Sequence, residues 1–186
     1  MTMAQATPAD LWVFGYGSLM WDPCFPFVES GWGIVRGYHR SLCILSIRNR
    51  GTPEQPGLVL GLERGGACRG RVFRIEAPCV DAAREALWAR EMPNQAYVPR
   101  GLRVRLDDGR TPTALAFIAR PGHPQFVPRL AIADAAAMVA RGRGATGTAI
   151  DYLRNVVHHL DAFRIADGPL HRVLALADAI ATPASA

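Results

Sequence analysis

Two short stretches of the chain hold residue types able to do chemistry. The first is LWVFGYGSLMWDP, residues 11–23, where a run of strand formers (Leu11, Trp12, Val13, Phe14) stops at Gly15 and gives way to Tyr16, Gly17, Ser18 and Leu19. Glycine permits positive φ and lets another group approach the backbone closely. The stretch is therefore either a tight structural turn or a strand end whose main-chain N–H groups face a ligand. The second is VDAAREALWAREM, residues 80–92. At about 100° per residue, Val80, Ala83 and Leu87 share one apolar stripe with Trp88 at its edge. Glu91 falls back on that stripe near Leu87, whereas Asp81 and Glu85 point away from it.

A carboxylate aimed at the interior from the end of a helix is pushed in one direction. Burial disfavours its charge, and so does the partial negative charge of the helix C-terminus. Both raise its pKa towards the range of a general acid and base. Arg90, adjacent to it, can oppose this rise, although consecutive helix residues do not share a face. The plainer alternative is that Glu91 pairs with an arginine, or caps a loop where the helix frays at Pro93.

Other chemistries find no support. Ser18 lacks the glycine that a G-x-S-x-G nucleophile elbow places two residues later. His158 and His159 diverge on a helix and cannot both reach one metal, so they are surface or rim residues. The cysteines (Cys24, Cys43, Cys68, Cys79) include no C-x-x-C pair and read as reduced thiols that bind no metal, with Cys43 a small core hydrophobe. The chain has no lysine. That excludes a Walker-A lysine, a Schiff-base lysine and a kinase-type strand lysine. The net charge of +5 rests on arginine alone, and the arginines are scattered. A nucleic-acid surface would cluster them on one face, so nucleic acid is not an expected partner.

The elements that must position these residues follow from the hydropathy pattern. A chain of 186 residues, 49% of them hydrophobic, fits one domain spanning 1–186 with a real core, with residues 1–10 and 180–186 expected as flexible ends. No apolar run approaches the roughly 18 residues of a membrane span. The N-terminus shows no signal-peptide pattern, so the expected location is cytoplasmic, with no membrane partner. The first half is strand-like: GIVRGYHRSLCILSI gives two β-rich stretches around Gly37, and GLVLGLERGGACRGRVFRI reads as two strands about a Gly65-Gly66 turn. The polar RNRGTPEQPG between them is a loop. A helix covers 80–92, and GLRVRL and TALAFIA form a second hairpin through Asp107-Asp108-Gly109. From Leu130 onward the pattern is helical. Trp21 and Trp32 are expected in the core. The fold class is α+β, with antiparallel strands first and helices last.

Taken in order, FGYGSLMWDP, RGTPEQPGLVLGLERGGACRGRVFRI, AREM at a helix end and a late DYLRNVVHHL resemble the ChaC-like γ-glutamylcyclotransferases. The resemblance runs from about Trp12 to about Leu174. It implies a compact mixed β-barrel with surrounding helices. It also implies cleavage of glutathione to 5-oxoproline and Cys-Gly without hydrolysis, in the cytosol, with no cofactor and no metal. By motif, Tyr16, Gly17, Ser18 and Leu19 become the loop that holds the γ-glutamyl group, and Glu91 the catalytic carboxylate. Tyr97 in QAYVP and Tyr152 in DYL become pocket residues. For Tyr152, at the edge of the stripe of Ile150, Leu153, Val157 and Leu160, an ordinary amphipathic tyrosine with a wet hydroxyl is the alternative. The chain departs from many relatives at Asn49, where they carry a histidine before RGT.

The implied reaction is an internal displacement in which the substrate's α-amine attacks its own γ-amide carbonyl. Well-oriented intramolecular attack reaches effective molarities of roughly 10⁵–10⁸ M. No enzyme nucleophile is needed. A single carboxylate between attacking and leaving amines can take one proton and return it, for roughly 10²–10⁴-fold. Main-chain N–H groups of Gly17, Ser18 and Leu19 can serve the α-carboxylate and the developing oxyanion. A cyclotransferase for other γ-glutamyl amino acids or amines stays open at this point. So does a catalytically silent binder of γ-glutamyl peptides, although a buried carboxylate that binds nothing is costly to desolvate. The oligomeric state is not fixed.

Overall fold

The computed structural model describes residues 9–182. Strand β1 (Leu11–Gly15) leads through a 3₁₀ turn at Ser18–Met20 into two long strands, β2 (Glu29–Ser46) and β3 (Gly57–Ile75). Helix α1 (Val80–Glu91), strands β4 (Tyr97–Leu106) and β5 (Thr113–Ala119), and helices α2 (Ile132–Arg141), α3 (Ala149–Ala162) and α4 (Gly168–Ala181) follow. The five strands close a barrel in the order β1-β3-β2-β4-β5. Closure comes from a short parallel pairing of β1 with β5, Trp12 against Ala114 and Val13 against Leu115. The α+β expectation holds, with strands preceding most of the helices.

The long β2–β3 ribbon departs from the expected pair of interrupted stretches. Gly65-Gly66 is not a hairpin turn. Both strands run through the glycines and stay paired on either side, Arg36 with Ala67 and Tyr38 with Arg64. Gly37 (φ 84°) lies opposite Gly65 (φ 107°) and Gly66 (φ 67°), all in the left-handed region that glycine alone adopts freely. The result is a β-bulge, which bends and twists both strands together. The true hairpin loop is the polar segment between Ser46 and Gly57.

Alternation decides what each strand buries. Phe14 of β1 and Leu58, Leu60 and Leu62 of β3 join Ala114, Ala116 and Ile118 of β5 in the main core, which α2–α4 cover with Val139, Leu153, Val156 and Leu160. Val13, Phe73 and Phe117 form a second cluster under Ala83 and Leu87 of α1. Caps fix the helices that close the molecule. Thr148 Oγ1 accepts the Asp151 N–H (3.1 Å) at the start of α3, and Asp167 accepts the Leu170 N–H (3.4 Å) at the start of α4. Cys43 is fully buried and all four thiols are free.

Residues 1–8 and 183–186, most of the two ends expected to be flexible, lie outside the described residues. Asp10 is held by Arg74 (2.7 Å) and by the Ala77 N–H (3.0 Å), and α4 extends through Ala181. Among the described residues no helix is long and apolar enough to cross a membrane.

Candidate active site

The site begins where β1 ends. Gly15 still faces Arg71 of β3, and the chain then turns into its 3₁₀ helix. A Cβ on Gly15 would stand 3.0 Å from the Leu19 Cβ, so glycine is needed here for close approach. The expected use of positive φ is absent: Gly15 is not among the left-handed glycines, and Gly17 has φ −126°. The Met20 N–H bonds the Gly17 carbonyl (2.9 Å), while Trp21 and Asp22 both bond the Ser18 carbonyl (3.2 and 2.9 Å). Among the described residues no acceptor takes the N–H of Gly17, Ser18 or Leu19. These are the orphan donors at the start of a short helix, and their residues form the wall of a cleft.

Tyr16, Gly17, Ser18, Leu19, Glu91, Tyr97 and Tyr152 all line this one cleft of about 400 Å3, counting its mouth, together with Phe14, Leu60 and Phe117. Glu91 arrives from the last turn of α1, directed by the burial of Ala83 and Leu87 on the same stripe. Its side chain is 17% exposed. Partial burial raises its pKa above the ordinary carboxylate value, and the nearby Arg90 charge opposes the rise.

Arg90 reaches further than its place on the helix suggests. Its Nε lies 3.6 Å from a Glu91 oxygen, while its Nη atoms bond Ser18 Oγ (2.8 Å) and the Asp22 carbonyl (2.8 Å). One guanidinium thus ties the carboxylate's helix to the donor loop. Because Ser18 Oγ accepts this bond, its own proton stays free to be donated.

The three tyrosines differ in what they have left to offer. Tyr16 donates its O–H to the Phe117 carbonyl (2.7 Å), and Tyr97 donates to the Leu60 carbonyl (2.7 Å). Tyr152 instead accepts the Leu60 N–H (3.2 Å). Leu60 has both main-chain groups held by phenols, and the Tyr152 proton remains available. Burial keeps all three phenols neutral at ordinary pH, with Tyr152 pushed up to about 12. The Tyr152 hydroxyl is therefore anchored at the cleft by Leu60 while its proton stays free.

Past Ser18, Glu91, Tyr97 and Tyr152 the cleft opens into a wider polar groove of about 1360 Å3. Arg48, Asn49, Arg50, Asn94 and Gln125 stand on it, with Asn49 exposed at the rim. Trp21, expected in the core, is only partly buried and lines this groove, stacked on His159 at 4.2 Å. Trp32 packs at the core's edge against Phe163, and His158 is exposed. Among the described residues no group of three or more His, Cys, Asp and Glu side chains is placed to hold a metal ion.

Sequence reasoning missed one supporting arginine, Arg40. Arg90, expected to oppose the rise at Glu91, does so, because its long side chain overcomes the divergence of neighbours on a helix. Arg40 is 8% exposed, with its Nε on the Tyr16 carbonyl (2.5 Å), Nη2 on the Arg69 carbonyl (2.8 Å) and Nη1 on Asp167 (3.2 Å). Its signal was an arginine in register with inward-facing Leu42.

The barrel thus opens at one strand end onto the Glu91 carboxylate and a row of unpaired main-chain donors. The chain superposes on the yeast γ-glutamylcyclotransferase specific to glutathione with a TM-score of 0.83, over 94% of this chain and 100% of that one, at 21% identity. Residues 11–180 match the ChaC-like protein model, and the chain belongs to that family. It is 37% identical over 164 residues to the glutathione-specific γ-glutamylcyclotransferase of Escherichia coli, covering 88% of this chain and 71% of that one. It is also 33% identical over 152 residues to glutathione-specific γ-glutamylcyclotransferase 1 of Mus musculus, covering 78% and 67%.

Proposed function

We propose that the protein is a glutathione-specific γ-glutamylcyclotransferase, a carbon–nitrogen lyase that converts glutathione to 5-oxoproline and Cys-Gly. The observation that carries this reading is the convergence of Glu91 and the unbonded N–H groups of Gly17, Ser18 and Leu19 on one cleft. The γ-glutamyl arm enters the cleft and folds on itself, while the Cys-Gly half lies along the polar groove. Glu91 takes a proton from the α-ammonium. The freed amine attacks the γ-carbonyl, and the same proton passes to the departing amine as the C–N bond to cysteine breaks. Glu91 then takes the second proton, shed by the new ring nitrogen, and passes it on to the released amine, which leaves as an ammonium. A raised pKa suits both transfers.

The donors divide by what each has left. The N–H groups of the loop and the Ser18 hydroxyl serve the anionic oxygens. Tyr152 can give its proton to the α-carboxylate. Tyr97 and Tyr16, whose protons are committed, offer lone pairs to the ammonium. Such a displacement needs no cofactor. The four free thiols fit a reducing compartment, and we place the enzyme in the cytoplasm, acting on a small molecule.

The test is incubation of the purified protein with glutathione, without metal or nucleotide, followed by mass spectrometry for 5-oxoproline and Cys-Gly. γ-Glu-Ala and the Glu91→Gln protein run alongside. Turnover of glutathione, none of γ-Glu-Ala and a loss of roughly 10²–10⁴-fold in the variant is the expected result. Equal turnover of both peptides would remove the specificity, and product from neither would leave a silent binder.

A further inference from the structure

A second hollow, about 1080 Å3 counting its mouth, shares no lining residue with the cleft or its groove. It arises from the barrel itself. Strand β2 pairs with β4 only from Gly33 to Val35, and beyond Val35 its other edge is taken by the loop after β5, through Leu45 with Gln125 and Val127 with Cys43. The wall therefore parts between β2–β3 on one side and β4–β5 on the other. Leu62, Val98, Ile118 and Phe126 line the opening with apolar surface.

Two arginines, both exposed, stand on that lining at strand positions in register with the barrel's inner face. Arg100 lies directly opposite Ala116, which is fully buried, and between Val98 and Leu102 on the barrel-facing side of β4; cross-strand partners share a face. Arg64 lies opposite Tyr38, on the face that buries Leu62 and Leu60. Arg129 joins them at the mouth. Arg40, which is buried, has its charge matched by Asp167, and the outward Arg69 and Arg74 have acids as well; Arg64, Arg100 and Arg129 are exposed, with water on their guanidinium groups. Among the described residues the guanidinium groups of Arg64, Arg100 and Arg129 have no acid and no hydrogen-bond acceptor. Glu63, the acid on the same wall, pairs with none of them.

We propose that this barrel mouth is a second binding site, for a small carboxylate with an apolar body. Its head would pair with Arg64 and Arg100 and its body would lie on Leu62, Val98, Ile118 and Phe126. Guanidinium and carboxylate match in a two-bond geometry, and barrel mouths are a recurrent place for ligands that are mostly apolar with a few fixed polar contacts. The site is independent of the cyclotransferase reading.

The test is calorimetric titration of the full chain with decanoate below its micelle concentration, with decanol and acetate as matched probes. One decanoate per chain is expected, with at least tenfold weaker binding of decanol, which lacks the charge, and of acetate, which lacks the body. Arg100→Gln and, separately, Arg64→Gln should each weaken decanoate at least tenfold while keeping the circular dichroism and glutathione turnover of the parent. Glu91→Gln should bind decanoate unchanged. Decanol as tight as decanoate, no loss in either folded arginine variant, or loss in Glu91→Gln would each overturn the proposal. So would an acidic peptide binding where decanoate does not, which would mark a protein-docking surface.

Discussion

Glu91 sits between two opposed influences, burial that raises its pKa and Arg90 that lowers it, and each has a measurable consequence. Between the ordinary value of 4.5 and the raised one, the folded state holds a proton that the unfolded state has lost. Stability from this group is therefore present at low pH and declines as pH rises through that window. Glu91→Gln removes the decline: its thermal midpoint by scanning calorimetry should exceed the parent's at pH 8, with the gain shrinking towards pH 4. The same variant should lose roughly 10²–10⁴-fold in kcat, because the swap keeps the shape and deletes the proton carrier. Arg90→Gln acts in the other direction. Without the cation the carboxylate titrates higher, so the acid limb of the kcat/KM profile should move to higher pH. An unmoved limb would show that Arg90 serves only to hold Ser18.

At the scale of elements, what was legible depended on whether the signal was local. Helix α1 was readable because its burial pattern is written into consecutive turns, and β1 because strand formers stop at a glycine. The Tyr16–Leu19 stretch stood out by its residue types and Glu91 by its place on a helical stripe, while their roles, like Tyr97 and Tyr152 themselves, entered through resemblance. The Gly65-Gly66 bend was misread because paired glycines with positive φ serve equally well in a turn or in a bulge. The difference lies in whether Tyr38 finds Arg64 on the far side, and no local window contains that fact. Arg40 was opaque for the same reason, since its partners Tyr16 and Asp167 come from opposite ends of the chain. The bend makes its own prediction. Gly65→Val places a branched side chain at φ 107°, at a cost of at least about 1–2 kcal/mol in a urea titration. Gly31→Ala, where an added Cβ meets nothing within 4 Å, is the control and should change little.

Across the whole molecule, Arg40 and Asp167 join the barrel to the start of α4, with side chains 3% and 11% exposed. Removing one member leaves the other charge buried, so Arg40→Met should cost about 3–5 kcal/mol in chemical denaturation. Adding Asp167→Leu should recover a large part of it, and a double-mutant cycle measures the coupling. Such recovery would not restore the hold on the Tyr16 carbonyl, so activity and stability should separate in the double variant. A different economy governs Leu60, where strand β3 meets phenols from β4 and α3. Both bonds end on its peptide group and neither on its side chain. Over generations of drift, position 60 is therefore free to change its side chain without releasing either tyrosine. Proline is the exception, having no N–H to give. A lineage can reshape the cleft's apolar wall there while its polar frame is inherited intact.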